Sequence, residues 1–287
     1  MKLIECPRDA MQGLSYFIPT DQKVRYLNQL LKVGFHTLDA GSFVSPKAIP
    51  QMKDTSDVFG KLKKEGTNTR LLAIVANMRG AEAAVAQPLL DDIGFPLSLS
   101  ETFQQRNTNK SIGEALSMLD EMKELTLGAG KKIVVYLSMG FGNPYGDPYG
   151  HEVVSRFVDI LKTMGLETVS LADTVGLASP ESVHDLFSQL RKDFPAVEVG
   201  VHLHATRDMA WDKIDAAYSA GCRRFDGALK GFGGCPMAED ELVGNVPTEV
   251  LIDYLNSKSD LPPLNNKALS EAMIVADGIF LSSDMTP

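Results

Sequence analysis

From residue 3 onward the chain alternates short β-branched or apolar runs with longer amphipathic stretches, and the pair recurs at a spacing of roughly 30 residues. The short runs are Leu3–Cys6, Thr37–Ala40, Arg70–Val75, Asp92–Leu97, Lys132–Leu137, Thr168–Ala172, Glu198–His204 and Arg223–Ala228. Thr20–Val33 is the clearest helical stretch: Val24, Leu27, Leu30 and Leu31 share one face, Thr20 or Asp21 can cap its start, and Gly34 stops it. Ile112–Leu127, His151–Met164, Pro180–Asp193, Asp208–Ala220 and Pro247–Leu255 follow the same pattern, Val58–Glu65 and Ala81–Ala86 more weakly. Parallel strands need crossovers of this length, so eight such units predict an α/β chain closed into a (β/α)8 TIM barrel. The barrel spans about residues 1–257 of a single domain, 1–287, with a short C-terminal extension, 258–287, packing on it. A doubly wound open sheet is the competing arrangement. A G-x-G-x-x-G after a strand would favour it, and none occurs. The cluster Gly231-Phe232-Gly233-Gly234 has the wrong spacing for a dinucleotide or Walker loop.

Charge bears on the partners. The 28 Lys plus Arg against 37 Asp plus Glu leave a net charge of -9 with no basic block, which argues against nucleic acid. No apolar run approaches ~20 residues, and Met1–Arg8 lacks the build of a signal peptide, so no membrane partner and a cytoplasmic location are expected. Three cysteines do not make a disulfide framework. Cys6 and Cys222 read as small buried hydrophobes.

Barrel enzymes place their chemistry at the carboxyl ends of the strands. Here those ends carry Pro7-Arg8-Asp9, Asp39-Ala40-Gly41-Ser42, Asp173-Thr174, His202-Leu203-His204 and the loop Gly231–Pro236. Closure puts strand 8 between strands 7 and 1, so these ends converge. His202 and His204 are two apart on a strand and point to one face. With a carboxylate such as Asp9 they make a divalent-cation site whose mixed nitrogen and oxygen ligands suit Mg or Mn. The plainer alternative is two histidines hydrogen-bonded in a polar barrel mouth. Arg8 is a fixed cation that can neutralise an oxyanion, or a structural partner of a neighbouring strand-end carboxylate. Cys235, in a glycine-rich loop, is either an acid–base thiol or another small buried hydrophobe. His36, His151 and His184 read as surface or capping residues.

The run Gly231-Phe232-Gly233-Gly234-Cys235-Pro236 resembles the signature loop of the 3-hydroxy-3-methylglutaryl-CoA lyase family. In the family's order also stand Pro7-Arg8-Asp9 with Gln12, Ser42–Lys47 through Pro50-Gln51-Met52, and Asn107-Thr108-Asn109. Leu171–Gly176, His202-Leu203-His204 and Gly244-Asn245 with Thr248-Glu249 complete the series. The resemblance implies a metal-dependent lyase that cleaves a carbon–carbon bond in a small-molecule acyl-CoA, releasing acetyl-CoA and acetoacetate from HMG-CoA. By the same resemblance Asp9, His202, His204 and Asn245 hold the Mg or Mn ion. Arg8, Asp9, His202, Cys235 and Glu249 serve catalysis, and Gln12, Asp39, Ser42 and Asp173 bind substrate. A homodimer follows by family analogy alone.

Some positions depart from the family pattern. Asp39 replaces a glutamate, Ala40-Gly41 replaces two hydroxyl residues, and Ala205-Thr206-Arg207-Asp208 replaces Asp-Thr-Tyr-Gly. Lys230 replaces a small residue, Met237 an aromatic one, and Gly142–Gly146 lacks the family's cysteine-containing pattern. Two other readings therefore stay open: a retro-aldol or Claisen-type enzyme on a different hydroxy or keto acid, and a non-catalytic ligand-binding barrel.

Overall fold

The structure is a computed structural model that describes residues 1–234 and 243–281. Its strands are β1 (Lys2–Glu5), β2 (Thr37–Ser42), β3 (Arg70–Ile74), β4 (Asp92–Ser98), β5 (Lys132–Ser138), β6 (Thr168–Ala172), β7 (Glu198–His202) and β8 (Arg224–Gly227). They pair in sequence order, all parallel, and β8 closes on β1 from Lys2↔Arg224 to Glu5↔Gly227. That closure excludes the open doubly wound sheet. The chain is a (β/α)8 barrel, and each expected strand is present, with ends displaced by no more than a residue or two.

The helices are α1 (Pro7–Gln12), α2 (Thr20–Leu30), α3 (Thr55–Phe59), α4 (Met78–Val85), α5 (Glu101–Thr108), α6 (Ile112–Gly128), α7 (His151–Thr163), α8 (Pro180–Asp193), α9 (Arg207–Ser219), α10 (Thr248–Ser257) and α11 (Asn266–Phe280). The main core lies between this helical ring and the outer faces of the strands. Leu38, Leu71, Ile93, Val135, Val169, Val201 and Phe225 are all buried there, against residues such as Leu27, Leu30, Leu119 and Met122 of the helices. A smaller apolar cluster, Leu72, Ile74, Val134 and Tyr136, sits apart from it on the alternate strand positions, which face the lumen. Glycines make room for large lumen neighbours: a Cβ on Gly200 would lie 2.8 Å from the Arg224 side chain, and one on Gly94 2.6 Å from Ile74 Cδ1.

Four details differ from the sequence reading. Pro7–Gln12, which the sequence places only as the residues following the first strand, is a helix, because proline at the first helical position sets the entry angle and lacks only an N–H that would be unpaired anyway. Glu101–Thr108 is a helix with Ser100 Oγ accepting the Phe103 N–H at 3.1 Å, yet only Phe103 and Gln104 are buried, too little for a periodic signal. The short helix expected at Val58–Glu65 lies earlier, at Thr55–Phe59. β7 ends at His202, and His204 instead forms an isolated antiparallel bridge with Asn245.

The C-terminal extension packs on the barrel as expected, and it does so as α11, antiparallel to α2. Asn265 N–H donates to Val33 O at 2.8 Å, near the end of α2, while Tyr16 OH donates to Ile279 O just before its start. Ala268, Ala272, Ala276 and Phe280 recur every four residues and are buried on one face. No described helix is long and apolar enough to cross a membrane.

Candidate active site at the carboxyl ends of the strands

α1 begins where β1 stops, so residues four apart on its first turns face the barrel mouth together. Arg8 Nη1 donates to Gln12 Oε1 at 2.8 Å and to Asp9 Oδ1 at 3.0 Å, and Gln12 Nε2 donates to the same Asp9 oxygen at 2.9 Å. The other edge of the guanidinium grips Asp39 Oδ2, with Nε at 2.9 Å and Nη2 closing the fork. Arg8, Asp9 and Asp39 are all buried. Arg8 thus pairs with a strand-end carboxylate and also stands in the mouth of the barrel.

This sharing pushes the two carboxylates apart. Burial alone would raise Asp9, but Arg8, His202, His204 and a hydrogen bond from Asn245 hold it at about 2. Asp39 is pushed up to about 6, because its burial outweighs the pull of Arg8. Arg8 stays cationic: burial opposes its charge, and the two carboxylates more than restore it.

His202 and His204 lie side by side with ring centroids 5.3 Å apart. His202 Nδ1 is 3.3 Å from Asp226 Oδ2. Burial disfavours the His202 cation, yet Asp226 and Asp9 raise its proton affinity overall. His204 is lowered to about 4 by burial and by its histidine neighbour, so near neutral pH it is an uncharged imidazole with a lone pair to offer.

Asn245, carried on the strand-like segment beside His204, donates from Nδ2 to Asp9 Oδ2 at 2.7 Å and to Phe232 O at 2.9 Å. Its Oδ1 is buried and has no hydrogen-bond partner among the described residues, and the same holds for His204 Nε2. The ligand atoms of Asp9, His202 and His204 lie within 4.8 Å of one another. Two bare acceptors beside an ionised carboxylate are costly when buried, and a divalent cation is a partner that would satisfy them. The residues present fit such an ion. A second group, Cys6 with His202 and Asp226, is equally compact. Burial and four surrounding carboxylates raise the Cys6 thiol well above its ordinary value, so it stays protonated and is a poor ligand.

The glycine-rich loop takes its composition from this centre. Gly233 has φ +105°, and a Cβ there would lie 2.5 Å from Asn245 Nδ2 and 3.0 Å from the Asp9 carbonyl oxygen. Cys235 lies outside the described residues.

Three expected site residues have partners outside the cluster. Asp173 is buried in an ion pair with Lys213 (2.9 Å), and Lys213 Nζ also donates to His204 O at 2.8 Å. The pair therefore fixes the backbone of a candidate ligand, where substrate binding had been expected. Ser42 holds the end of β2, bonding Thr55 Oγ1 through its N–H (3.2 Å) and Ile74 O through its hydroxyl (3.4 Å). Glu249 accepts the Lys230 N–H at 2.9 Å and Arg207 Nη1 at 3.0 Å, so it braces the loop after β8. Asp226 and Lys213 escaped sequence reasoning. The period-two pattern places Asp226 on the same face of β8 as Arg224, but nothing local marks Lys213 within α9.

Comparison with known proteins shows the family. The HMGL-like family model matches residues 3–275. The hydroxymethylglutaryl-CoA lyase YngG of Bacillus subtilis (strain 168) is 35% identical over 255 residues, covering 89% of this chain and 84% of its own length. The mitochondrial hydroxymethylglutaryl-CoA lyase of Bos taurus is 32% identical over 274 residues, 95% of this chain and 83% of its own. Among solved structures, an HMG-CoA lyase from Acinetobacter baumannii in complex with coenzyme A and 3-methylmalate superposes with a TM-score of 0.90 at 28% identity, covering 100% of this chain and 97% of its own.

Proposed function

The chain belongs to the HMGL-like family, and from that premise we propose that it is a carbon–carbon lyase that uses Mg or Mn to split 3-hydroxy-3-methylglutaryl-CoA into acetyl-CoA and acetoacetate. The observation that carries the reading is the close grouping of Asp9, His202 and His204, with Asn245 hydrogen-bonded to Asp9 and with His204 Nε2 and Asn245 Oδ1 lacking partners among the described residues. The names of the relatives, and the coenzyme A bound to the Acinetobacter baumannii enzyme, support the acyl-CoA substrate.

Asp9, His202, His204 and Asn245 would hold the cation, which when bound would supply Lewis acidity toward the substrate's tertiary hydroxyl. Asp39 is the group suited to take the hydroxyl proton. Its Oδ1 is buried without a partner among the described residues, and its affinity for a proton, about 6, lies near working pH, whereas Asp9 at about 2 is too weak a base. Collapse of the resulting alkoxide breaks the bond to the thioester-bearing carbon and expels an enolate. Arg8 supplies fixed positive charge where that enolate oxygen develops, and Gln12 and Asp39 keep the guanidinium plane from rotating away. We assign to Cys235 the delivery of the proton that quenches the enolate. An anionic CoA ester can be received by a chain of net charge -9 because Arg8 and the cation together would offset the carboxylates Asp9 and Asp39 at the barrel mouth.

An assay of acetyl-CoA release from HMG-CoA, with and without Mg or Mn, tests the reading alongside a small panel of other hydroxyacyl-CoAs. Cation-dependent release, abolished in Arg8→Ala and His202→Ala, is the expected result. Cleavage confined to another member of the panel would move the substrate, and a protein that neither binds the cation nor cleaves any ester would overturn the lyase itself.

A further inference from the structure

α11 ends against the loop that carries the candidate site, and two of its side chains meet two loop residues that differ in kind from a plain glycine-rich turn. Asp277 pairs with Lys230 Nζ, and the Phe280 ring stacks on Phe232 with centroids 4.5 Å apart and planes at 21°. Lys230 sits at φ +65°, a left-handed conformation that a lysine adopts only when held there. Its N–H is held by Glu249 and its side chain by Asp277. Phe232 in turn presents its carbonyl oxygen to Asn245 Nδ2 at 2.9 Å, the bond that together with Asp9 orients the Asn245 amide. Phe280 is itself fixed from behind by Tyr26 of α2, edge to face at 6.1 Å. A continuous set of contacts thus runs from α2 through Phe280 and Phe232 to Asn245.

We propose that α11 is a positioning element of the active site: Asp277 and Phe280 clamp residues 230–232 and thereby set which way the Asn245 amide faces. The proposal rests on the reading of Asn245 as a cation ligand. An amide has two ends, and the cation needs the oxygen. With Nδ2 committed to Asp9 and to the Phe232 carbonyl, only Oδ1 is left to face the site. When Phe232 loses its stacking partner, its carbonyl is no longer pinned, and the amide can turn. Asp277 meets Lys230 and Phe280 meets Phe232, so their effect reaches Asn245 through residues 230–232. The C-terminal helix is then a working part of the enzyme as well as a cover for α2.

The test is Mn titration by calorimetry of the wild type, Asp277→Ala, Asp277→Glu and Phe280→Ala, with thermal melting of each. Asp277 is a partly exposed side chain and its variants leave the packed face of α11 intact. The expected result is a loss of Mn affinity of about tenfold in Phe280→Ala, in line with the effect of groups that orient ligands, and a smaller loss in Asp277→Ala that Asp277→Glu restores. Affinity within twofold of the wild type in both alanine variants, whatever their melting temperatures, would overturn the proposal and assign α11 a structural role alone. A wild type that binds no Mn would overturn the cation site first, and this inference with it.

Discussion

His202 and Asp226 are register partners on adjacent strands, and the Asp226 carboxylate meets His202 Nδ1 at 3.3 Å. Parallel pairing puts them on the same lumen face at the same height, so the carboxylate fixes the ring and leaves Nε2 for the candidate cation. Asp226→Asn is therefore expected to weaken Mn binding by about tenfold to a hundredfold with little change in fold, as read by calorimetry and circular dichroism. Unchanged affinity would mean that the ring is oriented by packing against Tyr136 and His204 instead.

The assignment of Asp39 as base predicts a pH signature. Below its pKa of about 6 the carboxylate takes up a proton and can no longer accept one, so kcat/KM falls on the acid side of that value. Asp39→Asn is expected to lower kcat by at least about a hundredfold and to abolish this acid limb, while Mn still binds. An acid limb that persists in the variant would place the base elsewhere.

Glu5 gives a stability prediction. It is fully buried beneath the β8 loop, accepting the Leu229 N–H at 2.9 Å and pairing with Thr248, and its burial raises it from 4.5 to about 8. The folded form therefore binds a proton that the unfolded chain has already released between about pH 4.5 and 8. Stability falls as pH rises through that window and levels off above it. Glu5→Gln removes the charge, its amide oxygen still accepting the Leu229 N–H while its NH2 donates to a reversed Thr248 hydroxyl, and is expected to stabilise the protein at pH 8 by roughly 2 kcal/mol and to flatten the slope. Urea unfolding at pH 5 and pH 8 measures it. A wild-type stability that is flat or rising from pH 5 to 8 would contradict the argument.

Gly233→Ala should damage the site out of proportion to its size. The new Cβ would strain a left-handed backbone and press on Asn245 Nδ2, the near end of the amide that Asp9 holds. A destabilisation of about 1–3 kcal/mol and loss of most Mn binding are expected. Retained binding would show that the loop can shift without moving Asn245.

The buried Asp173–Lys213 pair offers a contrast between charge and geometry. Lys213→Met leaves a buried carboxylate unpaired and frees the His204 carbonyl, with an expected cost of about 3–5 kcal/mol. The double variant with Asp173→Asn should recover part of that stability in urea unfolding, because no isolated charge remains. Recovery of none of it would assign the loss to the His204 backbone contact.

The strands were legible because a buried parallel strand must be a short apolar run and its crossover must be a long amphipathic one. α1 and α5 were not. One starts inside what reads as a strand ending, and the other buries only two side chains. The proximity of His202 and His204 was legible from their spacing, although β7 stops at His202, whereas Asn245 entered only through resemblance to a family. Asp173 shows the limit from the other side: a conspicuous strand-end carboxylate whose partner, Lys213, lies forty residues away on a helix.

The chain's own order of residues determined the barrel, its eight units and the chemical types gathered at its mouth, because hydrophobic period and strand-end position are local properties. Partnership was decided by the tertiary structure. Arg8 meets Asp39 across 31 residues and Asp9 meets Asn245 across 236, and neither separation carries a signal of contact. Barrel closure and strand register bring these groups within hydrogen-bond reach. Burial and the neighbouring charges there then set the protonation of each: Arg8, the histidines and Asn245 keep Asp9 ionised against its burial, while burial makes His204 neutral and lifts Asp39 to about 6.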